Sequence, residues 1–205
     1  MPRAWERSNR RGREDRGGLV PRTRILIVCE GAKTEPNYFR CFPHAEVFDV
    51  EVVGTGHNTD SLVEEAIRLR DDAMCEGRLF NEVWCVFDRD SFTPQSFNRA
   101  RQIARNERFR TAMTNEAFEL WYLLHFNFHD AGISRKTYGE RLTVALGREY
   151  KKNMPDAYDL LLARQSDAIR NAKTLLNRYA PWNPEAHNPS TNVHLLVERL
   201  NELAE

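Results

Sequence analysis

Two aspartates, Asp88 and Asp90, stand two residues apart at the end of the apolar run Val83 to Phe87 (VWCVF). In an extended strand side chains alternate, so both carboxylates project to one side and Arg89 to the other. Two carboxylates brought together at the end of a buried strand repel each other. A shared proton or a hard cation such as Mg²⁺ relieves that repulsion. Taken alone the pair is weak evidence, because acids end strands and open loops in many proteins. Glu30 gives it weight. It closes a second apolar run, Ile25 to Cys29 (ILIVC), and is followed by Gly31. A continuous run of this kind reads as a strand buried on both faces, as in parallel sheets. In a doubly wound sheet ligands bind at the carboxyl ends of the strands, where successive connections leave to opposite faces. The first strand neighbours the third at that point, which sets Glu30 beside Asp88 and Asp90. Three carboxylates at one sheet edge are best resolved by a magnesium ion.

Glu119 is a further candidate. It sits in FELWYLL, a helix apolar on nearly every side, where a carboxylate is rarely buried unless it is paired or bound to a metal. A salt bridge to Arg89 or Arg164 explains it almost as well. Lys33 could neutralise a phosphate beside the acids, although a surface lysine at a helix start is the plainer reading. Glu35, followed by Pro36, reads as helix-start chemistry. His125 and His129 read as packing residues, and no His/Cys cluster suggests zinc. Trp121, Tyr122, Phe126 and Phe128 read as core.

The elements that must carry these residues alternate. After the first strand come a helix from about Thr34 to Phe42 and a strand near Val47 to Val53. A helix with Leu62, Ala66, Leu69 and Ala73 at three-to-four spacing follows, with Ser61 and Glu64 as a capping box and Gly77 as its stop. The strand Val83 to Phe87, a helix near Gln95 to Asn106 and a strand near Phe109 to Met113 complete a β-α-β-α-β-α-β series. That series argues a parallel, doubly wound α/β sheet of about four strands. Beyond it the chain reads as helical: Glu116 to Phe126, Tyr138 to Leu146, one long helix from Asp156 to Tyr179, a loop PWNPEAHNP, and a last amphipathic helix carrying Val193, Leu196, Leu200 and Leu203. The organisation expected is a basic tail over 1–23, an α/β core over 24–130 and a helical extension over 131–205.

The chain has 205 residues, with 30 Lys and Arg against 30 Asp and Glu, so whole-chain charge gives no argument for nucleic acid. The distribution is less even. Met1 to Arg24 holds eight arginines against three acids, a net of +5. Such a segment, poor in apolar residues, is expected to be disordered. It reads equally as a soluble arm and as a nucleic-acid arm of salt-sensitive affinity. The four cysteines show no paired spacing. With no long apolar run and no signal-peptide pattern, a cytoplasmic, reduced protein with no membrane contact is expected.

At this level the residues resemble a known family. ILIVCEGAKTEPNYF followed by VWCVFDRD is similar to the Toprim fold of topoisomerases and primases, with its Glu-Gly after the first strand and Asp-x-Asp after the third. CEGAKTEPNYF, VVGTGHNT, WCVFDRD, NEAFELWYLLHF and NPSTNVHLLVERLN together resemble the RloB family of bacterial proteins, from about Arg24 to Asn201. The resemblance implies a Toprim-like fold and a nuclease dependent on Mg²⁺ or Mn²⁺. It implies a phage-defence or abortive-infection setting and a separate partner ATPase of the ABC or SMC kind, since the sequence has no GxxxxGK[ST] loop. Carried over, the Toprim acid is Glu30, the metal pair is Asp88 and Asp90, and Glu119 is the added acid. Glu30 would serve as general base or ligand of a second metal, and Lys33 would contact a phosphate oxygen. The substrate expected is DNA or RNA. The rival expectation is a non-catalytic subunit that keeps the fold and only binds nucleic acid or the ATPase.

Overall fold

Ile25, Leu26, Ile27, Val28 and Cys29 are each 0% exposed, because the strand they form, β1 (Thr23–Cys29), is covered on both faces and paired along both edges. The computed structural model describes residues 23–43, 48–56, 59–89 and 93–204. The basic tail, the expected strand start at Val47, part of the GTGHNTD turn and Asp90 lie outside them. β2 (Phe48–Gly54) pairs with one edge of β1 and β3 (Glu82–Asp88) with the other, both in parallel. β4 (Arg110–Asn115) continues the parallel sheet beside β3. A short strand, β5 (Ser190–Thr191), closes that side antiparallel, for the order β2-β1-β3-β4-β5.

The alternation of β1 sorts its side chains between two cores. Ile25, Ile27 and Cys29 pack with Tyr38 and Phe39 of α1 (Thr34–Phe39). Leu26 and Val28 pack with Leu62 and Val63 of α2 (Thr59–Cys75) and Phe97 of α3 (Pro94–Asn106). The connection after β1 therefore leaves to one face and those after β2 and β3 leave to the other, which makes the β1–β3 boundary the switch point. This is the α/β, mostly parallel arrangement that the alternating pattern predicts. Thr93 starts α3 by accepting a hydrogen bond from the Ser96 N–H, with Pro94 in the first turn. Ser61 does not cap α2, which begins two residues earlier at Thr59.

Downstream come α4 (Glu119–Leu124), α5 (Arg135–Leu146), α6 (Ala157–Leu162), α7 (Gln165–Asn177) and α8 (Val193–Ala204). Two expectations need correction here. The single helix from Asp156 to Tyr179 is broken at Arg164, whose φ of −116° and ψ of 10° leave the helical region. The break lets α6 pack on α1 while α7 turns to pack on α4, which one straight rod could not do. The sheet also has five strands rather than four. β5 escapes a pattern reading because two residues carry no periodicity.

Past β5 the sheet edge is finished by a side chain. Asn192 Oδ1 accepts from the Met113 N–H at 2.6 Å and its Nδ2 donates to the Thr111 carbonyl at 2.9 Å. One amide thus satisfies two β4 backbone groups that would otherwise lie unpaired beside a 5% exposed residue. Asn192→Ala should strip both partners and lower stability by about 2–4 kcal/mol. Thermal denaturation should show this as a fall of roughly 5–15 °C in Tm.

Candidate functional site

The polar stretch after β1 is held from both neighbouring strands. Toward β3, the Glu30 N–H donates to the Val86 carbonyl at 2.9 Å; toward β2, the Gly56 N–H donates to the Glu30 carbonyl at 2.9 Å. The Glu30 side chain then crosses the switch point, its Oε2 accepting from the Asp88 N–H at 3.1 Å. Asp88 Oδ2 accepts from the Phe118 N–H at 2.9 Å, just ahead of α4, and the Arg135 guanidinium stands 3.8 Å away. Glu119 Oε1 accepts from the Tyr150 hydroxyl at 3.1 Å. Neither expected arginine pairs with it: Arg89 faces Glu185 at 3.7 Å, and Arg164 lies over the Phe126 ring at 5.3 Å.

These residues surround one cavity of about 590 Å³ at the carboxyl edge of the sheet, with Glu30, Glu35, Asp88 and Glu119 as its acids and Lys33, Arg135 and Lys152 as its cations. Of the residues the sequence singles out, Glu30, Lys33, Asp88 and Glu119 meet here; Asp90 lies outside the described residues.

Glu35 is the residue that sequence reasoning missed. It is 6% exposed, and among the described residues its Oε2 has no hydrogen-bond partner. Its carboxylate lies over Gly31, where a Cβ would come within 2.0 Å of Oε2. The glycine of the Glu-Gly pair is therefore needed for room, so that a second acid can sit on the first turn. Gly54 plays the same part beneath: a Cβ there would meet the Ala32 and Gly31 carbonyl oxygens at 2.7 and 2.8 Å. The signal for Glu35 was present in its spacing. It precedes Tyr38, Phe39 and Phe42 by three, four and seven residues, which is the buried stripe of α1 continued into the turn that follows it. Arg135, Tyr150 and Lys152 come from distant loops and helix ends and carry no such signal. Arg135 comes from the start of α5, while Tyr150 and Lys152 are brought in by a loop pinned to α1, where Thr34 Oγ1 donates to Asn153 Oδ1 at 2.7 Å and Asn37 Nδ2 donates to the Asn153 carbonyl at 3.2 Å.

The electrostatics follow from crowding. Burial pushes the Asp88 carboxyl well above its ordinary value, with Glu35, Glu30 and Glu119 adding to the rise and the Phe118 N–H opposing it. Burial also raises Glu35; its own backbone N–H opposes this, Glu119 adds to it, and Lys152 and Arg135 offset part. Among the described residues the acids do not form a closed group of three metal ligands. Chemically they fit a hard divalent cation: every donor is a carboxylate oxygen, one buried oxygen is unpartnered, and the mutual repulsion is the kind a cation relieves. Asp88, Glu35 and Glu30 could each contribute to such a site, together with a ligand from outside the described residues. Neither His125 nor His129 lines the cavity. His125 donates from Nδ1 to the Trp121 carbonyl at 2.9 Å and burial lowers its pKa to about 4, while His129 Nδ1 accepts from Arg141 at 3.1 Å.

Two outcomes are expected. Gly31→Ala should destabilise by about 1–3 kcal/mol through overpacking, and in a Glu35→Ala background the same change should cost little. Denaturant unfolding of the four proteins in a double-mutant cycle checks this coupling. Because the folded-state pKa of Asp88 is raised, its contribution to stability is fully present below the unfolded carboxyl value of about 3.9 and is lost as pH rises through the folded value. Asp88→Asn keeps the oxygen that accepts from Phe118 but removes the charge. In EDTA its Tm should exceed that of wild type by a few degrees at neutral pH (about 2–4 °C per kcal/mol), with the gap closing as pH falls toward 4.

Among the described residues no helix is long and apolar enough to cross a membrane. No curated protein and no solved structure matches the chain. One family profile does, that of the RloB-like protein family, over residues 25–200. That span runs from the first residue of the buried part of β1 into α8 and takes in every element around the cavity. The chain belongs to the RloB-like protein family.

Proposed function

We propose that this protein is a nuclease of the Toprim type, dependent on Mg²⁺ or Mn²⁺, that hydrolyses phosphodiester bonds of DNA or RNA. The observation that carries the reading is the ring of four acids at the switch point, one of them with a buried, unpartnered oxygen, rimmed by three cations. Asp88 and Glu35 would hold the metal, with Asp90 as the further ligand that the Asp-x-Asp spacing implies. Bound there, a divalent ion supplies Lewis-acid polarisation of the scissile phosphate and neutralises charge on the leaving oxygen. The protein supplies the rest. Glu30, aimed by its bond from the Asp88 amide, takes a proton from the attacking water. Glu119, steadied by the Tyr150 hydroxyl, would orient the attacking water. Lys33, Arg135 and Lys152 bring cationic charge to non-bridging phosphate oxygens, which offsets the repulsion a polyanion meets at an acidic cavity. The family resemblance adds the setting: phage defence or abortive infection, with a separate ABC- or SMC-type ATPase as partner.

The test is incubation with plasmid DNA, single-stranded DNA and tRNA, with Mg²⁺, Mn²⁺ or EDTA, alone and with an ATPase encoded beside the gene. Cleavage should appear only with metal. Asp88→Asn should reduce it by at least 100-fold (on the order of 3 kcal/mol of transition-state stabilisation) while the protein stays folded. Calorimetry should show metal binding to wild type that Asp88→Asn weakens. Absence of both cleavage and metal binding would instead favour the non-catalytic subunit.

A further inference from the structure

β5 covers only the last two residues of β4, so the remainder of that sheet edge opens into a groove of about 890 Å³ between α3 and α8. The groove is rich in arginine. Arg101 and Arg105 come from α3, Arg108 from the turn after it, Arg110 from β4 and Arg199 from α8. These five are not equivalent. Arg199 is neutralised by Glu82 at 2.7 Å and Glu202 at 3.2 Å, and Arg110 stands 3.7 Å from Glu82. Glu107 holds Arg70 at 2.6 Å, and Glu185, 3.7 Å from Arg89, acts on Arg101 only at longer range. Among the described residues Arg101, Arg105 and Arg108 have no salt-bridge partner. Glu198, on the opposite wall, pairs with Lys173.

The backbone sets these charges in a row. Asn98, Arg101, Gln102 and Arg105 fall on one stripe of α3, about 10 Å long at 1.5 Å per residue. Arg108 extends the row from the position after the helix cap, where its φ is 59°. The Phe109 N–H closes that turn onto the Ala104 carbonyl at 2.8 Å. Glycine fits such a left-handed position best, yet a long, exposed cation occupies it. The rings nearby are closed to ligands. Trp84 is 2% and Phe109 8% exposed, with Arg110 and Arg70 lying over them at 5.4 and 5.0 Å. Among the described residues that line the groove, no aromatic face is open for a base to stack on. The pattern suits a string of phosphates, and the amides on the stripe are occupied, Asn98 accepting from Arg101 at 3.0 Å and Gln102 donating to Asn106 at 2.8 Å.

We propose that this groove binds the sugar–phosphate backbone of a nucleic acid, without regard to sequence. The groove and the acidic cavity share one strand, β3, which carries Trp84 in the groove and Asp88 in the cavity. Register pairs Trp84 with Arg110 and Asp88 with Thr114, so the groove floor lies about 13 Å from the carboxylate edge at 3.3 Å per residue. The proposal rests on the groove's own charges and needs no metal.

The test uses the full chain in EDTA, which keeps binding separate from any cleavage. Anisotropy of labelled single-stranded and duplex DNA of about 20 nucleotides is followed across about 50 to 200 mM NaCl. Wild type is compared with the triple variant Arg101→Ala, Arg105→Ala, Arg108→Gly, whose alanines suit a helix and whose glycine suits the positive φ. The variant should bind at least tenfold more weakly. Its slope of log Kd against log salt should be shallower by about 2, at 0.7–0.9 for each lost phosphate contact. The exposed single change Arg105→Glu should shift both quantities the same way, which covers the case of a triple variant that folds poorly. Unchanged affinity and slope in Arg105→Glu and the triple variant would overturn the proposal, as would absence of binding by wild type. So would a polyglutamate of equal charge competing as well as the oligonucleotide, since the groove would then be a docking site for acidic protein. None of these results depends on whether the cavity cleaves.

Discussion

The enclosure of β1 is the constraint on which the rest of the structure depends. Its last five residues have no contact with water, and both edges are occupied by parallel partners. A strand in that position can admit polar groups only where it ends, and whatever follows must fit between two neighbouring chains. This explains why the chain is tight at Gly31 and Gly54, and why the main chain of Glu30 is tied to both β3 and the loop after β2. A side chain held on such a scaffold has little freedom. Glu30 is aimed by the fold itself, across the switch point and onto the Asp88 amide.

That rigidity lets an unfavourable charge arrangement persist. Asp88 and Glu35 are nearly buried and each is destabilised by the carboxylates around it. A flexible loop would relax and let the acids drift into water. Here α1 is packed through Tyr38 and Phe39 into the larger core, and Glu35 goes where those rings take it. The C-terminal segments then supply what the parallel sheet lacks. The turn before α4 gives the Phe118 N–H, α5 gives Arg135, and the loop before α6 gives Tyr150 and Lys152. The segments beyond the sheet are thus part of the site's wall, and they supply two of its three cations, Arg135 and Lys152.

How much of this is legible in the sequence follows from what fixes each feature. The strands β1 and β3 and the pairing between them follow from continuous apolar runs and from the logic of a switch point, so Glu30 and Asp88 could be placed side by side in advance. Glu35 was legible but hidden behind a local explanation: an acid before a proline at a helix start has an ordinary role, and only the spacing to Tyr38 and Phe39 shows that it faces inward. Arg135, Tyr150 and Lys152 were not legible, because nothing local marks a residue whose importance comes from a contact more than thirty positions away in sequence. The break at Arg164 and the two-residue β5 belong to the same class. Each is imposed by packing partners rather than by periodicity.

Charge distribution connects the two surfaces. The chain has no net charge, so long-range attraction cannot bring a polyanion to it, and the acidic cavity by itself repels one. A site that acts on phosphodiesters under those conditions needs cations placed locally, outside the acids yet within reach of the same strand of substrate. The three rim cations meet the need at the cavity mouth. The arginine row along α3 meets it further out, on the edge of the strand pair β3–β4 whose carboxyl end carries Asp88. Because α3 follows directly on the Asp-Arg-Asp segment, the helix that orders the row begins where the acids end. One βαβ unit therefore separates the two signs of charge along its own length, with acids at the strand's end and cations down the helix that leaves it.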